Sequence, residues 1–270
     1  MSRRAFPAAL ALLASAGCAN PAPPAPAHYV ALGSSYAAGT ATGGIKPGTP
    51  ERCGRSPLNY ATLLATRLHL DLADASCGGA MTAHVLGPWD ELPAQVSVLR
   101  PDTALVTLTV GGNDVAFVRN LFAASCDGAP GCATPLAVTE QDWAVMEAGL
   151  RAIVAAIRQR APRARIVLVD YLTVVPPGRT CPNLKLDAAE ARAAAASAAR
   201  LAAATARVAQ ESGADLLPAS RLSANHTACD PQPWSVAAPG SAPGTSWHPN
   251  AAGHAAVAAA LAELLGPVTG

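Results

Sequence analysis

Four stretches of unbroken apolar character punctuate the chain, at residues 29–33, 104–110, 165–171 and, more weakly, 214–217. The first gives way to Gly33-Ser34-Ser35 and the second to Gly111-Gly112, so each ends in residues that turn the backbone. Unbroken rather than alternating hydrophobicity marks strands covered on both faces, as in a parallel sheet. Between them, residues 59–68, 140–160, 187–212 and 250–265 read as helices. The 140–160 stretch carries apolar residues at helical spacing, the Ala-rich 187–212 stretch stops at Gly213, and Pro249-Asn250 starts the last helix. Strands alternating with helices predict an α/β fold, a parallel sheet with helices on both sides. Neither an internal repeat nor a second domain is legible, so residues 28–270 are expected to form one domain.

The beginning of the chain has a different character. Ser2-Arg3-Arg4 is a short positive start, residues 5–16 are apolar but too few to span a bilayer, and the Pro/Ala run 21–27 reads as an extended spacer. Residues 1–27 are therefore expected to be an export leader and spacer. Ser15-Ala16-Gly17-Cys18 resembles a lipoprotein signal in which Cys18 would carry lipid and attach the protein to a membrane. Ser15 stands where that signal usually has Leu, and an ordinary signal peptide with an incidental Cys18 is the other open reading. Beyond Cys18 the chain has Cys53, Cys77, Cys126, Cys132, Cys181 and Cys229. An even number in an exported chain argues for disulfides, although spacing alone does not choose among the pairings. The nearest-neighbour pattern, Cys53–Cys77, Cys126–Cys132 and Cys181–Cys229, is the expectation. A metal site is not expected, since no CxxC or HxxxH spacing occurs. With a formal net charge of +1 and no basic run, nothing indicates a nucleic-acid surface.

In a parallel sheet, chemistry gathers where strands hand over to helices. Three polar clusters are placed that way: Gly33-Ser34-Ser35-Tyr36, Gly111-Gly112-Asn113-Asp114, and Ser246-Trp247-His248-Pro249-Asn250. Together they hold what ester hydrolysis needs, a nucleophile, a base and donors for a developing oxyanion. Ser35 could attack once His248 takes its proton, and Asn113 could aim its amide at the oxyanion. Singly, each cluster would read as a turn or a structural histidine; the combination is what carries the signal.

From residue 29 to the C-terminus the chain resembles the SGNH, or GDSL-type, hydrolases, and among them the secreted actinobacterial esterases and lipases. The resemblance lies in Val30-Ala31-Leu32-Gly33-Ser34-Ser35-Tyr36-Ala37-Ala38-Gly39, in Cys77-Gly78-Gly79-Ala80, in Val110-Gly111-Gly112-Asn113-Asp114 and in His248-Pro249-Asn250-Ala251-Ala252-Gly253-His254. Cys53-Gly54-Arg55-Ser56, Asn59-Tyr60 and His226-Thr227-Ala228-Cys229 add to it. It implies a flavodoxin-like three-layer α/β/α sandwich and metal-free, cofactor-free hydrolysis of carboxylic esters. It also implies Ser35 as nucleophile, His248 as base, and an oxyanion hole made by the N–H groups of Ser35 and Gly79 with the Asn113 amide.

Two positions depart from the family pattern. Ser34 precedes the nucleophile where Asp is usual, and Thr245 stands where the family usually has an Asp that orients the base. A Ser–His dyad follows, with the carbonyl of Thr245 or one beside it expected to accept the His248 Nδ1–H. Ser34 reads as a turn residue, Asp114 as structural, His254 as packing or facing solvent, and His226 as ordering a disulfide-bonded loop. Tyr36 and Trp247 are candidates either for an acyl pocket or for packing. The expected partner is a small-molecule or lipid ester and the expected state a monomer. The principal reading is an esterase or lipase acting on acyl chains; a carbohydrate O-acetylesterase is the alternative. A non-catalytic surface-binding protein fits less well, because all four candidate residues are present.

Overall fold

The computed structural model describes residues 25–40, 42–126 and 132–266. Cys18 and nearly all of the 1–27 leader lie outside the described residues. Five strands and eight α-helices occur among the described residues, in the order β1 (His28–Gly33), α1 (Ser35–Ala38), α2 (Tyr60–Leu68), β2 (Asp71–Asp74), α3 (Thr82–Leu86), β3 (Thr103–Thr109), α4 (Phe117–Ala124), α5 (Glu140–Arg160), β4 (Arg165–Val169), α6 (Ala188–Ser212), β5 (Asp215–Leu217), α7 (Ala219–Leu222) and α8 (Ala251–Leu265). The strands form one sheet in the order β2-β1-β3-β4-β5, and every pairing is parallel. This is the flavodoxin-like order, whose switch point lies between β1 and β3.

The apolar runs are continuous because each strand feeds two cores. Val30 and Leu32 of β1 join a core with α5 and α6, through Met146, Leu150, Ile153, Leu201 and Val208. Tyr29 and Ala31 join the opposite core, with Leu64 of α2 and Val257 and Leu261 of α8. β4 divides its side chains the same way, Ile166 and Leu168 to one face, Val167 and Val169 to the other. Helices on both faces give the α/β/α sandwich. β2 is the exception in pattern: Asp71-Leu72-Ala73-Asp74 is an edge strand paired only to β1, so its polar ends meet solvent or side-chain partners rather than a core.

Helix ends follow the sequence signals. Asn59, Thr139, Asp187 and Asn250 each accept an N–H of the first turn of the helix that follows, a cap worth about 1 kcal/mol. Gly213 ends α6 in the left-handed conformation. The cysteines pair as Cys53–Cys77, Cys126–Cys132 and Cys181–Cys229. Cys53–Cys77 anchors the loop after β2 to the segment before α2, beside the switch point.

Gly253 shows how tightly the last helix is seated. It lies in the first turn of α8, where alanine is intrinsically better by about 1 kcal/mol. A Cβ there would fall 2.2 Å from the Trp234 carbonyl oxygen. That carbonyl already accepts the Asn250 N–H at 3.0 Å, next to the helix cap. Gly253→Ala should therefore destabilise the fold by roughly 1–3 kcal/mol, an overpacking cost that reverses the propensity gain; denaturant unfolding of the two proteins measures it.

Candidate active site

Ser35 begins α1 directly after β1. The preceding turn is built by Gly33, at φ 140°, whose Cα lies so close to β3 that a Cβ would sit 2.2 Å from the Thr109 carbonyl oxygen. Ser34 donates its N–H to that same carbonyl at 2.9 Å. The side chain of Gln95 holds the Gly33 residue on both sides, accepting its N–H at 2.8 Å and donating to its carbonyl at 3.0 Å. Strand pairing and one buried amide thus fix where Ser35 Oγ emerges.

The loop after β2 runs along the same edge. Cys77 donates its N–H to the Gly33 carbonyl at 3.0 Å and Gly78 to the Cys53 carbonyl at 2.9 Å. Gly79, at φ 81°, then turns the chain. Among the described residues its N–H takes no partner, and neither does that of Ser35 at the start of its helix. The loop after β3 is bound to this one twice. Asn113 Nδ2 donates to the Ala80 carbonyl at 2.9 Å, leaving its second amide hydrogen for another acceptor. The Asp114 carboxylate takes the Thr82 N–H at 3.1 Å and the Thr82 hydroxyl at 2.5 Å. Burial raises the Asp114 pKa from its ordinary value, against the Thr82 bonds, which lower it.

His248 comes from the far end of the chain. Its Nε2 lies 2.8 Å from Ser35 Oγ and its Nδ1 lies 2.8 Å from the Ser246 carbonyl oxygen. A carbonyl can only accept, so Nδ1 carries the proton and Nε2 presents a lone pair to the Ser35 hydroxyl. The carbonyl that orients the His248 ring is therefore that of Ser246, not that of Thr245. The reason is the intervening Trp247, a non-glycine at φ 63°, which folds the chain so that the Thr245 carbonyl meets the His248 backbone N–H at 3.3 Å instead. The Thr245 hydroxyl points elsewhere and donates to the Thr40 carbonyl at 2.9 Å. Trp247 is fully buried, and its own carbonyl accepts the Tyr36 hydroxyl at 2.5 Å. Tyr36 also lies against the His248 ring, with centroids 5.1 Å apart.

The structure thus brings Ser35 and His248 into direct contact, and ties the Gly79 and Asn113 loops to each other beside them. Among the described residues, no other histidine side chain hydrogen-bonds Ser35 or His248. His254 is buried under α2, its Nδ1 accepting the Tyr60 N–H at 3.2 Å, and burial pushes its pKa down to about 3. His226 stacks on Trp234 at 4.0 Å, next to the Cys181–Cys229 disulfide. Among the described residues no group of three or more His, Cys, Asp or Glu side chains is placed to hold a metal ion. Sequence reasoning missed Gln95, a lone amide that carries no motif, and reached the Ser246 carbonyl only as a neighbour of Thr245, because a backbone atom carries no motif either.

The GDSL-like lipase/acylhydrolase family model matches residues 31–256. Lipase 2 of Streptomyces coelicolor is 31% identical over 288 residues, spanning 96% of this chain and 92% of the relative. Among solved structures, phospholipase A1 from Streptomyces albidoflavus superposes with a TM-score of 0.74 at 25% identity, over 88% of this chain and 99% of that one. The extracellular lipase from Streptomyces rimosus gives a TM-score of 0.72 at 28% identity, over 87% and 98% of the two chains.

Burial is the largest influence on His248 and lowers its pKa from 6.5, while the bond to the Ser246 carbonyl works the other way. The charged form is thus disfavoured, and the neutral imidazole persists on acidification past the point where an exposed histidine would protonate. Followed by NMR, the His248 ring should titrate with a midpoint below 6.5. A midpoint at or above that value would mean that burial does not govern the ring.

Proposed function

The chain belongs to the GDSL-like lipase/acylhydrolase family and is a carboxylic ester hydrolase; we propose that it is an exported esterase or lipase working through a Ser35–His248 dyad and an acyl-enzyme. The observation that carries this reading is the 2.8 Å contact between His248 Nε2 and Ser35 Oγ, with Nδ1 held by the Ser246 carbonyl. His248 takes the Ser35 proton as Oγ bonds to the ester carbonyl carbon. The N–H groups of Ser35 and Gly79 and the second Asn113 amide hydrogen receive the negative oxygen. As the tetrahedral species collapses, Nε2 returns the proton to the leaving alcohol and the acyl group stays on Oγ. Water, deprotonated by the same nitrogen, then releases the acid and restores Ser35.

The imidazolium formed midway faces a carbonyl dipole rather than a carboxylate. Orientation and tautomer are kept, while charge stabilisation rests on a single dipole in a buried setting. All four groups come from one chain, so a monomer suffices. The basic, apolar and Pro/Ala segments of residues 1–27 support export, with the hydrolase domain following from residue 28. Cys18 would serve as a lipid attachment point if that leader is cut before it. The lipase and phospholipase A1 relatives favour acyl-lipid esters over acetylated carbohydrate as the substrate class.

Hydrolysis of p-nitrophenyl esters from acetyl to palmitoyl tests the reading. Ser35→Ala and His248→Ala should abolish turnover of every ester, and Asn113→Ala should lower kcat by about 10²–10³-fold, as loss of one oxyanion donor does. The optimum should lie beyond acetyl; a strict acetyl preference would move the assignment to an O-acetylesterase. A folded Ser35→Ala protein with full activity would remove Ser35 as the nucleophile.

A further inference from the structure

The turn that presents Ser35 and the turn that presents Asn113 meet at one hydroxyl. Tyr171 follows β4 by two residues and is buried, and its Oη accepts the Gly112 N–H at 2.9 Å. The same oxygen lies 3.1 Å from Ser34 Oγ. With the amide occupying one side of the phenolic oxygen, its proton is available to Ser34. Ser34 occupies the N-cap position of α1 yet makes no capping bond with its side chain, which is turned to Tyr171 instead.

Gly112 is shaped to this ring. A Cβ at that position would lie 2.8–2.9 Å from Tyr171 Cε1, Cζ and Oη, while Gly112 is not in the left-handed region. Room for Tyr171, rather than backbone freedom, is what requires glycine there. The ring itself has little latitude, packed against Tyr36 at 4.5 Å and edge-on to Phe117 at 6.2 Å. Burial pushes the hydroxyl up to about 12, so it keeps its proton across the neutral range.

We propose that Tyr171 is a positioning residue for ester hydrolysis, fixing the nucleophile turn through Ser34 and the oxyanion turn through Gly112, and so setting Ser35 against Asn113. The proposal rests on the roles given to those two residues above. Tyr171 touches neither the ester nor the dyad; it acts on the distance between the groups that do. A hydroxyl bridging both turns makes their relative placement depend on one buried side chain rather than on the sheet alone.

Tyr171→Phe keeps the ring and removes the bridge. Its kcat on a p-nitrophenyl ester should fall roughly tenfold with KM little changed, the signature of misplaced groups rather than lost substrate binding. In an Asn113→Ala background the same change should cost far less, because the donor it positions is gone, whereas a purely structural role would cost the same in both backgrounds. A folded Tyr171→Phe protein with unchanged kcat, or an undiminished loss in the Asn113→Ala background, overturns the proposal. Should Tyr171→Phe not fold, Ser34→Ala carries the test by the same cycle: a kcat loss that shrinks with Asn113→Ala supports it, and an unchanged kcat or strict additivity overturns it. Ser35→Ala distinguishes the two levels: if that variant still hydrolyses the ester the nucleophile assignment has failed, and if it is inactive a negative result counts against Tyr171 alone.

Discussion

The hydrogen bond between Ser35 Oγ and His248 Nε2 joins residues 213 positions apart, and most of the structure near the switch point serves to hold it. Both partners are buried, with Ser35 at 8% and His248 at 6% exposure, so water cannot substitute for a lost contact without opening the site. Burying an imidazole is tolerable only when its nitrogens are satisfied. Here one nitrogen accepts the Ser35 hydroxyl and the other donates its N–H to the Ser246 carbonyl. The ring is thereby fixed in the one tautomer that can act as a base toward the hydroxyl.

His248 arrives on a loop with no strand behind it, so its position is secured by stitching rather than by the sheet. Thr245 bonds the Thr40 carbonyl, Thr42 bonds the Pro249 carbonyl, and Tyr36, the residue after Ser35, bonds the Trp247 carbonyl just before His248. Asn250 caps α8 and, through Nδ2, holds the Pro233 carbonyl. Each bond is worth about 1 kcal/mol on its own. Together they convert the loop into a fixed extension of the Ser34-Ser35 turn. The opposite wall is made rigid by different means, a disulfide at Cys53–Cys77 and the Asn113–Ala80 and Asp114–Thr82 bonds.

Much of this was legible in the chain. The four apolar runs fall on β1, β3, β4 and β5, and the four helical stretches on α2, α5, α6 and α8, with Asn59, Asp187 and Asn250 as caps rather than first helical residues. Apart from β5, three residues of which only Leu217 is buried, those elements are long or largely buried, and their pattern records it. β2 was not legible, because an edge strand of four residues with an Asp at each end has no apolar pattern to show. The carbonyl on Nδ1 was not legible to the residue, because its choice depends on the positive φ of Trp247, a conformation that side-chain chemistry does not announce. Tyr171 read as the end of a strand; its role depends on an oxygen that reaches two loops distant in sequence, a relation only the fold creates.

In the proposed mechanism Ser35 Oγ, activated by His248, is the atom that becomes acylated. Covalent trapping with a p-nitrophenyl alkylphosphonate, followed by peptide mass mapping, tests it without reference to any particular natural ester. One adduct per chain is expected, on Ser35 and not on Ser34, formed at least on the order of 10³-fold more slowly when His248 is alanine. An adduct on Ser34, or none at all in a preparation that still hydrolyses esters, would contradict it.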